Sequence, residues 1–421
     1  MIASTSASPP NGGFDLNGMR PPPLQRAFFR LFLDSPQWWM GVLRRLPIVR
    51  VPGFDLTIVT GFEHVQEVLA RDQVFQTPFA RRMMELIAGP HFVLAMQDGD
   101  DYRRQRRQIM HAFRLEDVNP GIAKFSRQLA DTIVGGSRGR LDAVEDLLTF
   151  VPTRICQDYY GLKIQDPKLF AQWTLAVSAY VFASPWGGRD RHTATAQTAA
   201  SCMRATIEES IYKAHGAPDP GTIVGRLVMM QKQSGEPNDD LIRAELFGMV
   251  VGFVPTNTIA SAHMLEMLLR RRDMLELAQA AASKDDDERL WRCLFEALRF
   301  KPINPGPFRE CASEYTIAEG GRRAKRIRAG SHVLASTQSA MFDGRGVVEP
   351  KKFNPDRARH ESMVFGYGLH WCIGAFLAAA QITQTLKPLL KQRRLRRGDD
   401  GAARLERIGF MPVHLRVEFD P

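Results

Sequence analysis

The chain has 421 residues, 44% hydrophobic and 24% charged, a globular composition that excludes collagenous, largely disordered and membrane-embedded classes. Its net charge of +10 is concentrated at Arg103/Arg104/Arg106/Arg107, in RRAKRIR (322–328) and in KQRRLRR (391–397). No nucleic-acid-binding motif or aromatic interleaving accompanies these clusters, which leaves a solvated face or a docking site for an acidic partner.

Residues 1–23 are rich in Pro, Gly and Ser, show no secretory pattern, and read as a disordered tail. The apolar stretch 27–46 is broken by Arg30, Asp34, Arg44 and Arg45. It is too polar for a transmembrane anchor and at most forms a surface-seeking patch around Phe28, Phe29, Trp38 and Trp39. Residues 49–59 predict a small sheet and 61–72 a helix. Residues 76–97, with Pro78, Gly89 and Pro90, read as irregular and apolar. A helix is expected over 98–113, a succession of amphipathic helices over 122–215, and another helix over 222–232. From 238 to 271 a long helix is apolar nearly all round, so it should be buried, with Asn238 or Asp239 as N-cap. The five cysteines, at 156, 202, 293, 311 and 372, are odd in number and form no CxxC pair. This argues against a disulfide framework or a zinc cluster and fits a reducing cytoplasm.

The last cysteine stands apart. Phe365-Gly366-Tyr367-Gly368-Leu369-His370-Trp371-Cys372-Ile373-Gly374 is a glycine-punctuated loop running into the helical stretch AFLAAAQITQTLKPLLKQ. Glycines at 366 and 368 permit backbone angles closed to other residues and remove side chains that would collide with a planar ligand. A helix N-terminus, with its free amides and positive dipole end, favours an ionised cysteine. Upstream, Glu296 and Arg299 lie three apart on one helical face in the apolar sequence LWRCLFEALRF, so their charges should be buried and need further partners.

The loop closely resembles the heme-binding signature of the cytochrome P450 family, and Glu296-Ala297-Leu298-Arg299 resembles that family's ExxR motif. The resemblance implies a mostly α fold with a small β lobe, a long central helix over the heme, and a single catalytic domain over 24–421. It implies heme b as cofactor and Cys372 as iron ligand, with Phe365 near the sulfur and His370 at a heme propionate. Gly374 lets the first helical turn lie close beneath the ligand. Arg357 would complete a structural triad with Glu296 and Arg299. Tyr102 stands where the family usually has histidine, and Arg106 and Arg309 match its propionate-binding arginines. The pocket would be lined by Phe92, Val93, Gly252, Phe253, Ile303, Phe308, Phe410 and Met411, a mostly apolar wall suited to a lipophilic small molecule.

One departure from the family bears on mechanism. Most members carry Ala-Gly-x-Asp/Glu-Thr in the long helix, where the acid and alcohol deliver protons during dioxygen cleavage. This chain has Val251-Gly252-Phe253-Val254-Pro255-Thr256-Asn257-Thr258. Aligned on Gly252, Val254 replaces the acid and Pro255 the alcohol, and neither carries a proton. Pro255 also lacks an N–H and should kink the helix. Thr256 or Asn257 could take over with water, giving a monooxygenase fed with electrons by an acidic ferredoxin or flavodoxin on the basic face. Alternatively the oxidant is peroxide, as in peroxygenases, or the substrate is itself a hydroperoxide that is isomerised or dehydrated. A non-catalytic heme sensor is the contrasting class. Thr258 reads as back-bonded to the helix.

Overall fold

The computed structural model describes residues 36–182, 190–398 and 404–420. The expected tail and Phe28 and Phe29 lie outside them, as do the side chains of Trp38 and Trp39.

One helix organises the molecule. Asp239–Arg270 runs for 32 residues, about 48 Å at 1.5 Å per residue. Asn238 starts it: its Oδ1 accepts the Leu241 amide at 2.9 Å, satisfying one of the free N–H groups of the first turn. Asp239 and Asp240 add negative charge at the positive end of the dipole. Apolar residues occupy every face rather than one stripe, so nearly all the side chains from Leu241 to Leu268 are buried. The helices Phe150–Asp158, Pro167–Phe182, Asp190–Gly216 and Asp287–Phe300 pack around it.

The helix Ala375–Leu390 follows the cysteine loop and packs against Lys124–Gly136, Asp287–Phe300 and the long helix. A five-stranded sheet lies in a second core. Its order is Ile48–Arg50, Leu56–Val59, His332–Ala335, Phe308–Cys311, Phe75–Gln76. Leu56–Val59 pairs in parallel with His332–Ala335, and the other pairings are antiparallel. Val59, Phe62, Phe75, Val333 and Met341 fill the space behind it. Alternation on Phe308–Cys311 turns Arg309 inward, and this places one functional side chain.

One expectation changes. The stretch 76–97 is not irregular throughout: Ala80–Ile87 is helical, burying Met83, Leu86 and Ile87 at i, i+3, i+4 spacing. It stops at Ala88, which adopts φ 53° just before Gly89-Pro90. The long helix is one continuous element with Pro255 inside it. Beside the missing amide, the Thr256 hydroxyl donates to the Gly252 carbonyl. Thr258 donates to Val254 O at 2.8 Å and Ser261 to Asn257 O at 2.5 Å. These side chains bond the carbonyls around the proline.

Candidate active site at the Cys372 loop

The loop takes the shape its glycines allow. Gly366 and Gly368 have φ of 79° and 72°, in the left-handed region, and a Cβ on Gly368 would sit 2.5 Å from the Leu69 carbonyl oxygen. The Cys372 amide donates to Phe365 O at 2.9 Å, closing the loop on itself. Gly374 caps the following helix, and a Cβ there would be 3.9 Å from the Cys372 sulfur. Burial pushes the Cys372 thiol up, and the Gly374 amide only partly offsets it. The helix end thus favours the ionised sulfur without outweighing burial. A bound metal, which deprotonates a coordinating thiol, has to supply the rest. Phe365 stacks on Trp291 and Phe295, at 6.3 and 5.6 Å between centroids, and meets Trp371 edge-on at 6.3 Å. Trp371 in turn meets Phe376, and both are exposed, at 39% and 50%.

Glu296, Arg299 and Arg357 come together in a buried cluster. Arg299 Nε and Nη2 donate to the two Glu296 oxygens at 2.8 and 2.7 Å, and Arg357 Nε approaches at 3.2 Å. The remaining donors go to backbone: Arg299 to Met341 O, and Arg357 to Val348 O and Lys352 O. Arg357 also pairs with Glu361 at 2.8 Å, four residues before the loop begins. The triad therefore ties 341–361, the approach to the cysteine loop, onto the helix Asp287–Phe300.

Around the loop three nitrogen-bearing side chains gather, none of them in an ion pair with an acid among the described residues; Asp72 acts on His370 only at longer range. Arg309 is 5% exposed, and its one hydrogen bond runs to Phe308 O, 2.9 Å away. Burial lowers it to about 10. Neither ring nitrogen of His370 has a partner among the described residues. Burial, with Arg309 and Arg106 adding repulsion and Asp72 opposing them, pushes His370 down to about 4. Arg106 donates to the Tyr102 hydroxyl at 2.9 Å, and that hydroxyl donates to Leu369 O at 3.2 Å. Tyr102 has thus committed its one hydrogen. In this arrangement it orients Arg106 and the loop.

On the long helix two positions open out from an otherwise buried middle: Gly252 is exposed and Thr256, one turn on, is half-buried. A Cβ on Gly252 would meet nothing within 4 Å. Asn257 and Phe253 face elsewhere. Asn257 is 4% exposed with its amide nitrogen unpartnered, and Phe253 packs on Tyr160 at 5.6 Å. Tyr160 in turn lies near Cys372, which brings the loop to this part of the helix. The expected relay residue Asn257 and pocket residue Phe253 are therefore turned into the core, each roughly 100° round the helix from the open position before it and both on the same side of the open face. Val254 and Pro255 are buried as well.

The other expected pocket residues divide. Ile303, Phe410 and Met411 converge with Leu175 and Ala179 of the helix Pro167–Phe182. Those last two were missed, because an apolar helix gives no sign of which residues meet a distant turn. Phe308 is half-buried at the head of its strand. Phe92 and Val93 are buried, at 3% and 1% exposure, against the long helix. Glu245, a buried acid in contact with Val93, was also missed.

Residues 46–413 match the family model for cytochrome P450. The chain belongs to the cytochrome P450 family. It is 24% identical over 356 residues to the mycinamicin IV hydroxylase/epoxidase of Micromonospora griseorubida, covering 82% of this chain and 84% of that one. To the cytochrome P450 monooxygenase PikC of Streptomyces venezuelae it is 26% identical over 357 residues, covering 82% and 80%. The ligand-free structure of cytochrome P450 TbtJ1 superposes with a TM-score of 0.76 at 21% identity, covering 94% and 97%. The fold is thus that of a P450, and the family's cofactor is heme b. The residues present fit it. Arg309, His370 and Arg106 are donors with no ion-pair partner among the described residues, suited to the two carboxylates of heme, and a lone cysteine stands beside them at a helix mouth.

Proposed function

We propose that this cytochrome P450 is a monooxygenase hydroxylating a lipophilic small molecule, with dioxygen as oxidant and residues 24–421 acting as one catalytic domain. Cys372 ligates the heme iron, Arg309, His370 and Arg106 hold its carboxylates, and Phe365 packs beside the sulfur. What carries the reading is the set of Arg309, His370 and Arg106 around the Cys372 loop, none in an ion pair among the described residues, beneath the open Gly252–Thr256 face.

Bound there, the heme supplies dioxygen activation and oxidation of an unactivated C–H bond, with thiolate donation favouring O–O cleavage. The chain does the rest. The apolar wall of Phe92, Val93, Ile303, Phe308, Phe410 and Met411 excludes water and orients a lipophile. Gly252 leaves room above the cofactor plane. The Thr256 hydroxyl holds a proton at the open face and donates it to the Gly252 carbonyl. To pass that proton on, it must first exchange this bond for one to water.

Electrons arrive from an acidic ferredoxin or flavodoxin at the face behind the cysteine, where Trp371 and Phe376 are exposed. Local pairs already occupy part of the basic charge: Arg103 bonds Asp98 at 2.8 Å, Arg104 Asp101 at 2.8 Å, and Lys391 Asp285 at 2.7 Å. The partner therefore reads the remaining cations and the aromatic surface, not the full formal charge.

A second reading is favoured by Val254 and Pro255: two buried residues without a transferable proton stand where the acid and alcohol belong. It makes peroxide, or a substrate hydroperoxide, the source of oxygen, with no redox partner. The test is product formation from a panel of lipophiles under two oxidant supplies in parallel. One is dioxygen with a surrogate ferredoxin, its reductase and a nicotinamide cofactor; the other is peroxide or a fatty-acid hydroperoxide alone. Product only with the first supports the monooxygenase, and Thr256→Ala should then abolish it. Product chiefly with the second assigns the peroxide chemistry.

A further inference from the structure

The long helix carries a buried carboxyl that none of this chemistry uses. Glu245 lies seven residues before Gly252, almost two full turns, and so on the same helix face. It is 2% exposed. Its Oε1 accepts the Val93 amide at 2.9 Å, and its Oε2 is buried with no partner among the described residues. Val93 opens the short 3-10 turn Val93–Ala95, so its N–H has no acceptor within the turn, and Glu245 caps it from a different element.

The same face holds the neighbouring side chain. Gly248 lies one turn beyond Glu245, and Phe92 fills the space its missing side chain leaves. A Cβ on Gly248 would be 2.2 Å from the Phe92 ring. Further back along the segment, Arg243 Nη2 donates to Ala88 O at 3.0 Å, and Arg204 of the helix Asp190–Gly216 donates to Leu86 O. The stretch from Leu86 to Val93 is thus pinned by side chains from two helices. Of these contacts, the Glu245–Val93 bond and the Phe92–Gly248 packing are the nearest to the open face at Gly252.

We propose that Glu245 is a positioning residue that latches the Phe92–Val93 wall onto the long helix, so that bulky ligands reach the heme pocket by breaking the Glu245–Val93 bond. The inference rests on the reading of Phe92, Val93 and Gly252 as pocket lining. Burial, opposed only by the Val93 amide, raises Glu245 to about 8, so the carboxyl is mostly protonated near neutrality. The bond is then an ordinary one between neutral groups, firm enough to hold the wall and weak enough to open during turnover.

The experiment is stopped-flow binding of two azoles to the ferric holoprotein, followed by the Soret shift. Imidazole is small enough to pass a closed wall, and clotrimazole is not. In Glu245→Ala, clotrimazole should associate about five- to tenfold faster, the factor expected for one net hydrogen bond, with imidazole within about twofold of wild type. Glu245→Gln keeps a carbonyl acceptor for Val93 and should stay within about twofold for both ligands. Gly248→Ala displaces the Phe92 ring without touching the carboxyl and should speed clotrimazole selectively. Clotrimazole rates in Glu245→Ala or Gly248→Ala equal to wild type would overturn the latch. So would Glu245→Gln behaving like the alanine variant. If Glu245→Ala does not fold, the glutamine and Gly248 variants decide. Absence of any imidazole shift in the wild type would instead refute the heme pocket itself.

Discussion

Replacing Glu296 by Gln tests the buried triad directly. The carboxylate accepts from Arg299 Nε and Nη2 at 2.8 and 2.7 Å, from Arg357 Nε at 3.2 Å, and from the Asn354 amide at 3.1 Å. The arginine side chains are 1% and 5% exposed and the glutamate 4%, so water cannot substitute. An amide of the same shape keeps one oxygen acceptor, removes the charge, and turns an NH2 group toward a guanidinium. Two cations are then left buried together, with only the Arg357–Glu361 pair to offset them. Removing one member of a buried ion pair costs about 3–5 kcal/mol, a large share of the ~5–15 kcal/mol that stabilises a folded domain. The assay is urea unfolding of the holoprotein, followed by far-UV circular dichroism and by the Soret band. Both should report a loss in that range, with reduced heme content on purification, because the triad anchors the chain ahead of the cysteine loop. A loss under about 1 kcal/mol with normal heme content would refute the argument. It would mean that the two arginines are held by the Met341, Val348 and Lys352 carbonyls and need no central charge.

Other expectations follow from the same geometry. Cys372→Ala should remove the thiolate signature: the reduced carbon-monoxide complex should lose its wild-type Soret position, and an unmoved band would refute cysteine ligation. Arg309→Leu should speed heme loss to apomyoglobin by about tenfold or more, the scale of one hydrogen bond to a charged group, while leaving the carbon-monoxide band in place. Glu245 has a folded pKa raised to about 8 by burial, above its unfolded value near 4.5. The stability linked to its protonation is fully present below pH 4.5, where folded and unfolded chains both carry the proton, and is lost as pH rises through 8, because the unfolded chain ionises first. Wild type should therefore lose more stability than Glu245→Gln between pH 5 and pH 8, as read by thermal melts across that range; parallel curves would show that the carboxyl is ionised throughout.

The parts of the site that sequence made legible are those where a local pattern forces a geometry. Gly366 and Gly368 occupy left-handed angles because the loop needs them, and Glu296 with Arg299 is local helix spacing. The long helix and its Asn238 cap followed from apolar content and one side chain. What failed was orientation. Phe253 and Asn257 each follow an open position by one residue, and a sequence does not fix helix rotation to within 100°. Tyr102 was assigned by its place in a pattern, while its hydroxyl went to a carbonyl 267 residues away. Glu245 and Leu175 depend on segments that meet only in the folded chain.

The aromatic stack behind the cysteine has an optical consequence. Trp291 and Trp371 each lie one ring from Phe365, whose carbonyl accepts the Cys372 amide. Heme absorbs where tryptophan emits, so with the cofactor in place both indoles should be dark. Removing it should restore their emission, and the protein then carries its own fluorescent gauge of cofactor occupancy.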